Sequence, residues 1–410
     1  ADLGKPAFDA WLTDLLVTRD EARYALDHLD DWVRPTSHPV PAVTRPGKAW
    51  TEPQPLGVVL LIAPWNYPVQ LLLSPLVGAL AAGDVAVLKP SELAPATSAL
   101  LARLVPQHLD PEAVAVVEGG VDVTTALLEL PFDHILFTGS TRVGKVVMAA
   151  AAKHLTPVTL ELGGKSPTIV AADADLGVAA RRVAWAKYLN AGQTCIAPDY
   201  VLVEDEVAPR FTELLVEELA ALRDRAEPTS IVNDDHVARL EGLLDGHGGR
   251  ELLPRRTDAA TRVLAPVVVA DPDLHAPIME EEIFGPLLPV VTVASVDDAI
   301  EFVQARPRPL ALYLFSGSRA TERRVLDRTI AGSVCVNHLV YQCGVSSMPF
   351  GGVGASGMGG YHGKAGFDTF SHHKSVLRRP TKGDLKAMYP PYPKAVQKLL
   401  RLVTRWPSRR

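Results

Sequence analysis

One thiol in this sequence stands at a predicted chain reversal. Cys195 follows a helix-like run that ends at Gly192, and Pro198 prevents the helix from resuming before the strand-like residues 200–203. A thiol held at such a turn can face a cleft and act as a nucleophile in its thiolate form. Because an isolated cysteine is more often a small buried hydrophobic residue, the rest of the sequence has to support the chemical role.

Other polar side chains follow short apolar runs between residues 58 and 161. They supply an amide, an ammonium group and three carboxylates: Asn66, Lys89, Glu92, Glu118 and Glu161. The apolar runs alternate with helical patterns, which predicts a doubly wound, Rossmann-like parallel sheet. Ligands of such sheets bind beyond the carboxyl ends of the strands, where these side chains are expected to lie. The sequence therefore predicts a binding site along one rim of an α/β fold.

The predicted elements fall into two α/β groups. In the first group the strands are 58–62, 85–88, 114–117, 135–138 and 158–160, and the helices are 69–82, 95–109, 121–130 and 142–154. In the second group, which begins at about residue 162, the strands are 200–203, 263–269, 287–293, 310–315 and 333–336, and the helices are 176–189, 207–222 and 320–331. The charged and poorly periodic segment 223–255 indicates no function.

Composition narrows the kinds of partner. The 410 residues are 47% hydrophobic, which is enough for two domains with substantial cores. Lys and Arg number 41 against 47 Asp and Glu, a formal charge of −6, and no long basic block precedes the extreme C-terminus. We therefore expect small-molecule partners and no nucleic acid.

The cysteines indicate a reducing compartment. Cys335 and Cys343 lie far from Cys195 in sequence, and the three form no CxxC motif, which fits neither a disulfide framework nor a zinc site. We expect a cytoplasmic location and packing roles for Cys335 and Cys343. No apolar run reaches the length that spans a bilayer. The chain begins at Ala1 inside a helical pattern, so we expect further N-terminal residues in the complete protein.

Two glycine motifs suggest nucleotide chemistry at first sight. Residues 139–145 satisfy most of a Walker phosphate loop, but position 146 is valine, so the hydroxyl that would bind magnesium is missing. Backbone N–H groups at this turn can still bind a dinucleotide pyrophosphate. Residues 352–357 spell GxGxxG, yet no strand precedes them and no helix follows, which predicts a flexible surface loop.

Seven ordered motifs resemble those of the NAD(P)-dependent aldehyde dehydrogenase superfamily. They are PWNYP (64–68), LKPSE (88–92), FTGS (137–140), ELGGK (161–165), GQTC (192–195), EIFGP (282–286) and PFGG (349–352). The resemblance runs from about residue 1 to beyond 375. The stretches CIAPDY (195–200), YHGK (361–364) and YPPY (389–392) are similar to the class 3 branch, which includes enzymes for fatty, aromatic and coniferyl aldehydes.

The resemblance implies a catalytic set. Cys195 would attack the aldehyde to give a thiohemiacetal and then a thioester, Asn66 would hold the oxyanion, and Glu161 would be the general base. A strand-end carboxylate such as Glu161 would otherwise be interpreted as solvated. A related reading is an acylating enzyme that passes the acyl group to coenzyme A, and another is a non-catalytic dinucleotide-binding protein of the same fold.

The resemblance also implies a cofactor site. Lys89 and Glu92 would contact the adenosine ribose, Gly139 and Ser140 the pyrophosphate, Glu282 the nicotinamide ribose and Phe284 the nicotinamide ring, with Trp65 as a further cofactor residue. Because a carboxylate near the ribose 2′-hydroxyl repels a 2′-phosphate, we expect NAD to be preferred, with NADP possible. No motif indicates a metal.

Two departures from the branch lie where the substrate tunnel is expected. The family usually keeps Asn337 at the catalytic edge, and the residue after it is His338 where the branch tends to have aspartate. Five positions after Asn337 the common histidine is replaced by Gln342. The aldehyde is therefore the least constrained part of the interpretation.

The resemblance divides the chain into four parts. We expect residues 1–36 and 56–161 to form the dinucleotide-binding domain, 162–353 the catalytic domain, 37–55 and 367–378 an oligomerisation arm of a homodimer, and 379–410 a C-terminal tail.

The tail has a basic amphipathic pattern. Its apolar residues Val396, Leu399, Leu400 and Val403 are interleaved with Lys398, Arg401 and Arg405. Such a helix packs on its own protein or a partner subunit more often than on a membrane, so peripheral membrane contact is the less favoured alternative.

Overall fold

The computed structural model describes residues 2–41, 44–384 and 386–403. Its strands are β1 (Thr36–His38), β2 (Lys48–Pro55), β3 (Val58–Ile62), β4 (Val85–Lys89), β5 (Val114–Val116), β6 (His134–Thr138), β7 (Val158–Glu161), β8 (Pro167–Val170), β9 (Tyr200–Glu204), β10 (Arg250–Glu251), β11 (Thr257–Asp258), β12 (Val263–Leu264), β13 (Val267–Ala270), β14 (Leu287–Val293), β15 (Ala311–Phe315), β16 (Ser333–Val336), β17 (Gly357–Met358) and β18 (Ser371–Arg378).

Helices connect most of these strands. They are α1 (Ala7–Ala10), α2 (Val17–Trp32), α3 (Gln70–Ala82), α4 (Pro95–His108), α5 (Val121–Leu128), α6 (Thr141–Ala151), α7 (Leu176–Tyr188), α8 (Ala208–Arg225), α9 (Asp234–Leu243), α10 (Pro277–Glu280), α11 (Val296–Gln304), α12 (Arg319–Arg328), α13 (Gly363–Thr369) and α14 (Lys394–Val403). A π-helical segment, Trp11–Leu16, joins α1 to α2.

The first sheet has the strand order β17-β7-β6-β3-β4-β5. All of its pairings are parallel except that of β17 with β7. Its central strand β3 is a continuous apolar run, as expected for a strand covered by helices on both faces. The carboxyl ends of β3, β4, β6 and β7 therefore meet at one rim, which confirms the predicted doubly wound sheet.

The second sheet has the order β10-β13-β14-β9-β8-β15-β16 and is parallel apart from its edge strand β10. Strand β8 was not predicted. The predicted strand 263–269 is wrong as one element, because it divides into β12 and β13 around Pro266, which cannot donate a ladder hydrogen bond. Segment 223–255 contains helix α9, capped by Asn233.

One apolar core joins the two sheets. Val59 and Leu61 of the first sheet belong to the same buried cluster as Val201 and Val203 of the second. The helices α3 and α7 contribute the residues between them, including Leu72 and Val183, both fully buried. The fixed relation of the two sheets positions the loop after α7 against the rim of the first sheet.

A third, antiparallel sheet has the order β1-β2-β18. Strands β2 and β18 pair along their whole lengths, from Lys48↔Arg378 to Pro55↔Ser371. The sheet coincides with much of the predicted oligomerisation arm, and its role in a dimer stays a prediction.

The GxGxxG segment is not a flexible surface loop, and that prediction is wrong. Gly357 and Met358 form β17, which pairs with β7 so that Gly357 lies opposite Glu161. Ser356 is fully buried, and its carbonyl accepts a hydrogen bond from the Leu162 N–H at 3.0 Å. A Cβ at Gly352 would lie 2.0 Å from the Ser356 carbonyl oxygen, so glycine is required for this close packing.

The described part of the tail ends in helix α14. Arg405 lies outside the described residues, as do the side chains of Leu399, Leu400 and Val403. Within the described part of the chain, no helix combines the length and the apolar character needed to cross a membrane.

Candidate active site

The loop that carries Cys195 has an unusual backbone. After α7, three consecutive residues adopt left-handed conformations: Asn190 at φ 52°, Ala191 at φ 52° and Gly192 at φ 71°. A Cβ at Gly192 would lie 2.2 Å from the Gly285 carbonyl oxygen, so this position requires glycine. The predicted reversal is confirmed: it ends the helix, and it brings the chain into hydrogen-bond contact with Asn66, which follows β3 of the first sheet.

Hydrogen bonds of Gln193 fix this reversal. Its Nε2 donates to the carbonyls of Asn190 at 3.1 Å and Ser230 at 3.0 Å, and its Oε1 accepts from the Val232 N–H at 3.0 Å. Each polar atom of the side chain therefore has a partner. These bonds tie the loop to Asn190, Ser230 and Val232 two residues before Cys195.

Asn66 is joined to the same loop. It follows β3, is 2% exposed, and donates from Nδ2 to the Gln193 carbonyl at 3.0 Å. Asn190 donates in turn to the Asn66 carbonyl at 3.1 Å. An amide nitrogen carries two hydrogens, so the second N–H of Asn66 remains available to a ligand.

A cavity of about 350 Å³ contains both Cys195 and Glu161. Its walls come from the N-terminal helices, the rim of the first sheet, α7 and the segment from Val340 to Gly344. Most lining side chains are apolar, among them Leu12, Leu16, Leu71, Trp185, Leu189 and Phe350. Asn66 does not line this cavity, although its neighbour Tyr67 does. The structure thus brings the thiol and the carboxylate to one cavity, and it bonds the Asn66 amide to Gln193, two residues before the thiol.

Burial governs the electrostatics of the two reactive groups. Desolvation raises the pKa of the Cys195 thiol well above its usual range, and the charges of Glu282 and Glu161 raise it further. Desolvation also raises the pKa of Glu161 well above the value of an ordinary glutamate, 4.5. Both Glu161 oxygens lack hydrogen-bond partners among the described residues. A base of raised pKa beside a protonated thiol is suited to proton transfer.

Helix α6 begins at the rim of the first sheet, beside β6. Ser140 caps the helix by accepting from the Val143 N–H at 3.4 Å, and the Gly139 N–H donates to the Glu161 carbonyl at 3.0 Å. The N–H groups of a first helical turn have no acceptors within the helix and favour anions. This arrangement fits the pyrophosphate that the sequence places at Gly139 and Ser140.

Lys89 and Glu92 lie at the end of the neighbouring strand β4. Lys89 is 1% exposed and donates from Nζ to the Pro90 carbonyl at 2.6 Å. Its ammonium lies 3.5 Å from Glu92 Oε2, while the Glu92 side chain is 45% exposed. An anchored ammonium next to an accessible carboxylate is a suitable site for ribose hydroxyls.

Glu282 lies against the loop that follows β7. A Cβ at Gly163 would be 2.1 Å from Glu282 Oε2, so the glycine makes room for the carboxylate. Burial and the charge of Asp199 raise the pKa of Glu282 to about 8. Its Oε1 has no partner among the described residues, as expected of an acceptor that awaits a ligand hydroxyl.

Phe284 and Trp65 form an aromatic pair. Phe284 has a left-handed backbone with φ 47°, and its ring meets the Trp65 ring edge-on at 5.5 Å. Together with Lys89, Glu92, Gly139, Ser140 and Glu282, these residues fit a dinucleotide along the rim.

The aldehyde dehydrogenase family model matches residues 1–376. The chain belongs to the aldehyde dehydrogenase family. It is 47% identical to mouse aldehyde dehydrogenase family 3 member A2, over 95% of this chain and 82% of the relative. It is 44% identical to the rat protein named aldehyde dehydrogenase, dimeric NADP-preferring, over 96% of this chain and 88% of that one. The solved substrate-bound state of Staphylococcus aureus AldH superposes with a TM-score of 0.94 at 40% identity, covering 98% of this chain and 88% of that one.

These similarities confirm the family, its fold and the class 3 branch. The protein is an NAD(P)-dependent aldehyde dehydrogenase, and when bound the nicotinamide cofactor accepts hydride from the substrate. The roles of the individual site residues are proposals developed below.

Several residues of the dehydrogenase site were not singled out from the sequence. Tyr67 OH lies 2.6 Å from Thr194 Oγ1, and the Lys5 ammonium lies 4.1 Å from the centre of the Tyr67 ring. Lys165 forms an ion pair with Asp199, whose other oxygen accepts from the Ile283 N–H at 2.9 Å. Tyr67 and Lys165 belong to the PWNYP and ELGGK motifs. Their partners Thr194 and Asp199 are distant in sequence, so the contacts could not be predicted.

The three residues expected at the substrate tunnel, Asn337, His338 and Gln342, do not line the cavity. Asn337 is not at the cavity, because its amide pairs with the Ser316 backbone at 3.0 and 2.9 Å. Gln342 is buried and donates to Tyr313 OH at 3.2 Å. His338 stacks at 3.9 Å on Tyr341, which does line the cavity. Cys343 lines the cavity and, like Cys335, packs against the main apolar core, as predicted.

Proposed function

We propose that this enzyme oxidises medium- or long-chain aliphatic or aromatic aldehydes to carboxylic acids through a thioester on Cys195. The observation that carries the proposal is one predominantly apolar cavity that contains both a thiol and a buried carboxylate. Such cavities bind apolar ligands and direct them with a few polar groups. Tyr341, 62% exposed, extends the apolar wall to the protein surface.

The first half of the reaction makes the thioester. The Cys195 sulfur bonds to the aldehyde carbon, and its proton passes to Glu161, whose raised pKa lets it accept that proton. The second N–H of Asn66, with the Cys195 backbone N–H, stabilises the alkoxide oxygen. The alkoxide then re-forms its carbonyl as hydride leaves the carbon, which oxidises the substrate by two electrons.

The second half of the reaction is hydrolysis. Glu161 first releases the thiol proton to solvent, which restores its ionised form. Water then adds to the thioester carbon, Glu161 takes a proton from that water, and the carbon–sulfur bond breaks to release the acid. Sulfur leaves with its electron pair and is reprotonated to the Cys195 thiol. Transfer to coenzyme A would need no water-activating base, so the buried Glu161 supports hydrolysis over acylation of coenzyme A. A non-catalytic binding protein would have no use for this thiol and carboxylate.

An NADH-release screen tests the proposal. Aldehydes of increasing aliphatic chain length and a set of aromatic aldehydes are compared, each with and without coenzyme A. We expect kcat/KM to rise with apolar surface and to be independent of coenzyme A. Strict dependence on coenzyme A would establish the acylating alternative, and no NADH from any aldehyde would support a binding protein.

Replacing Asn66 with alanine should lower kcat by about 10²–10³-fold, the usual effect of losing an oxyanion donor. Because Asn66 also bonds to Gln193, the control is Asn190→Ala, which removes another hydrogen bond to the same carbonyl. Steady-state kinetics on both variants separate the roles. Equal losses of kcat would mean that Asn66 only supports the loop.

Replacing Glu92 with glutamine should raise the ratio of kcat/KM for NADP to that for NAD by about tenfold, since it removes the charge that opposes a 2′-phosphate. The measurement is initial rate against each cofactor. Glu118→Gln, at the end of the next strand and bonded to Ser98 at 2.8 Å, is the control. An unchanged ratio would place the 2′-hydroxyl elsewhere. The rat relative named NADP-preferring makes the preference of this enzyme a question for experiment.

We also propose that the β1-β2-β18 sheet joins two subunits. The rat relative is named as a dimeric enzyme. Light scattering tests the homodimer, and a monomer at micromolar concentration would contradict it. The cytoplasmic location and the peripheral membrane contact of the tail stay predictions.

A further inference from the structure

His362 is a buried side chain that the mechanism above does not use. It is 3% exposed, lines the cavity with Cys195 and Glu161, and has no hydrogen-bond partner for Nδ1 or Nε2 among the described residues. An unpaired polar group in a protein interior is costly, so each one calls for an explanation.

The surrounding structure fixes this imidazole in place. Its ring stacks on Phe350 at 5.5 Å and meets Tyr361 edge-on at 4.4 Å. Two backbone hydrogen bonds of 2.8 Å join Phe350 to Tyr361, and Glu21 accepts from the Gly363 N–H at 2.5 Å. His362 itself has φ 80°, a strained conformation for a residue other than glycine. Strain that is held on both sides is typical of a functional position.

Thr138 is a second unpaired group on the same cavity. It ends β6 and lies directly opposite Glu161 in the parallel pairing of β6 with β7. Residues opposite each other in a sheet point to the same face, and both line the cavity. The Thr138 hydroxyl has no partner among the described residues, and neither have the Glu161 oxygens.

Five buried polar atoms on three side chains therefore border one largely apolar cavity. A small ligand with both donors and acceptors would pair them, and water is the reactant of that kind which the thioester needs. Burial lowers the pKa of His362 to about 4, so the imidazole is neutral at pH 7 with one donor and one acceptor nitrogen.

We propose that His362 and Thr138 bind the water that hydrolyses the Cys195 thioester and hold it against Glu161. They are positioning residues, and the inference rests on the proposed function. In the step they support, the water oxygen bonds to the thioester carbon, one water proton passes to Glu161, and the carbon–sulfur bond breaks. Hydride transfer precedes this step and does not need the bound water.

The experiment compares Thr138→Val with Thr168→Val. Thr168 is a matched control, because its hydroxyl is also buried and without a partner among the described residues but does not line the cavity. Stopped-flow NADH release should give Thr138→Val a burst of about one NADH per subunit, followed by a steady state slowed about tenfold. Thr168→Val should follow the wild type.

Variants of His362 add a second comparison. His362→Asn keeps two polar atoms and tolerates a positive φ, whereas His362→Leu removes the polar atoms, so we expect deacylation to slow more in the leucine variant. Hydrolysis of p-nitrophenyl acetate reports acylation and deacylation of the thiol without cofactor. Hydroxylamine, which attacks the thioester without the bound water, should restore turnover in both Thr138→Val and His362→Leu.

The outcomes distinguish this inference from the proposed function. If the wild type forms acyl-enzyme but Thr138→Val deacylates as fast as Thr168→Val, the water site is wrong and the thioester mechanism stands. A raised KM with a lost burst would instead assign these residues to substrate binding and overturn the inference. If the wild type forms no acyl-enzyme, the proposed function itself fails.

Discussion

Replacing Cys195 with alanine is expected to reduce NADH production by roughly 10⁴-fold or more, since loss of a covalent nucleophile removes the pathway itself. Cys195 lies on a loop that the Gln193 hydrogen bonds and the left-handed turn hold independently of the thiol. The side chain can therefore be shortened without displacing the backbone. Initial rates with a medium-chain aldehyde, together with the melting temperature of each variant, measure the effect.

Cys343→Ala is the matched control, because Cys343 lines the same cavity but has no proposed chemical role. We expect this variant to keep kcat and to change KM only slightly. Full NADH production by Cys195→Ala, or an equal loss in Cys343→Ala, would contradict the assignment of the nucleophile.

The second large effect is expected for Glu161→Gln. Turnover should fall by about 10²–10⁴-fold, the range for loss of a general base, and a burst of NADH should persist if the base is needed mainly for hydrolysis. Asp84→Asn is the control, because burial also raises the pKa of this carboxyl, to about 6, and it lies outside the cavity. A Glu161→Gln variant with wild-type turnover would remove the base from the mechanism.

The raised pKa of Glu161 gives this prediction a pH dependence. The base acts in its ionised form, so deacylation should rise with pH and level off at a higher pH than an ordinary carboxyl would give. The effect of Glu161 on folding stability has the opposite pH dependence, because it lowers the stability as pH rises. A folded-state pKa above the unfolded value of 4.5 makes ionised Glu161 destabilising, and this cost grows as pH rises above 4.5. Glu161→Gln should therefore gain stability relative to the wild type as pH increases, as denaturant unfolding at several pH values can measure.

Much of the fold follows from local sequence because a covered parallel sheet needs continuous apolar strands. The predicted and observed bounds of β3, β14 and β16 agree completely. The turn at Cys195 was also predicted, since Gly192 and Pro198 limit the backbone locally. The left-handed conformations of Asn190 and Ala191 were not, because tertiary hydrogen bonds impose them.

The failures of prediction involve long-range pairing. The GxGxxG segment has no local strand signal, and β17 forms only because β7 offers an edge beside Glu161. Strand β8 lies inside the second sheet but begins with proline, a residue that argues against a central strand. Asn337 lies in a familiar motif, but its contacts with Ser316 are set by the neighbouring strands.

The site residues divide in the same way, into those indicated by local sequence and those set by long-range contacts. Residue types at strand ends indicated Glu161, Lys89 and Glu92, since the carboxyl ends of parallel strands share one rim. His362 gave no signal of its own beyond its place in a motif. Its significance comes from burial, from its lack of partners and from a cavity formed by distant segments.

The most direct test of the thioester account is the mass of a trapped intermediate. Glu161→Gln, in which the thiol must lose its proton to solvent, is incubated with a medium-chain aldehyde and NAD at alkaline pH until one turnover is complete, quenched in acid and measured intact and after digestion. The account predicts one acyl group per chain, on the peptide that contains Cys195, and none in Cys195→Ala. An unmodified chain after a full NADH burst, or an acyl group on Cys335 or Cys343, would contradict it.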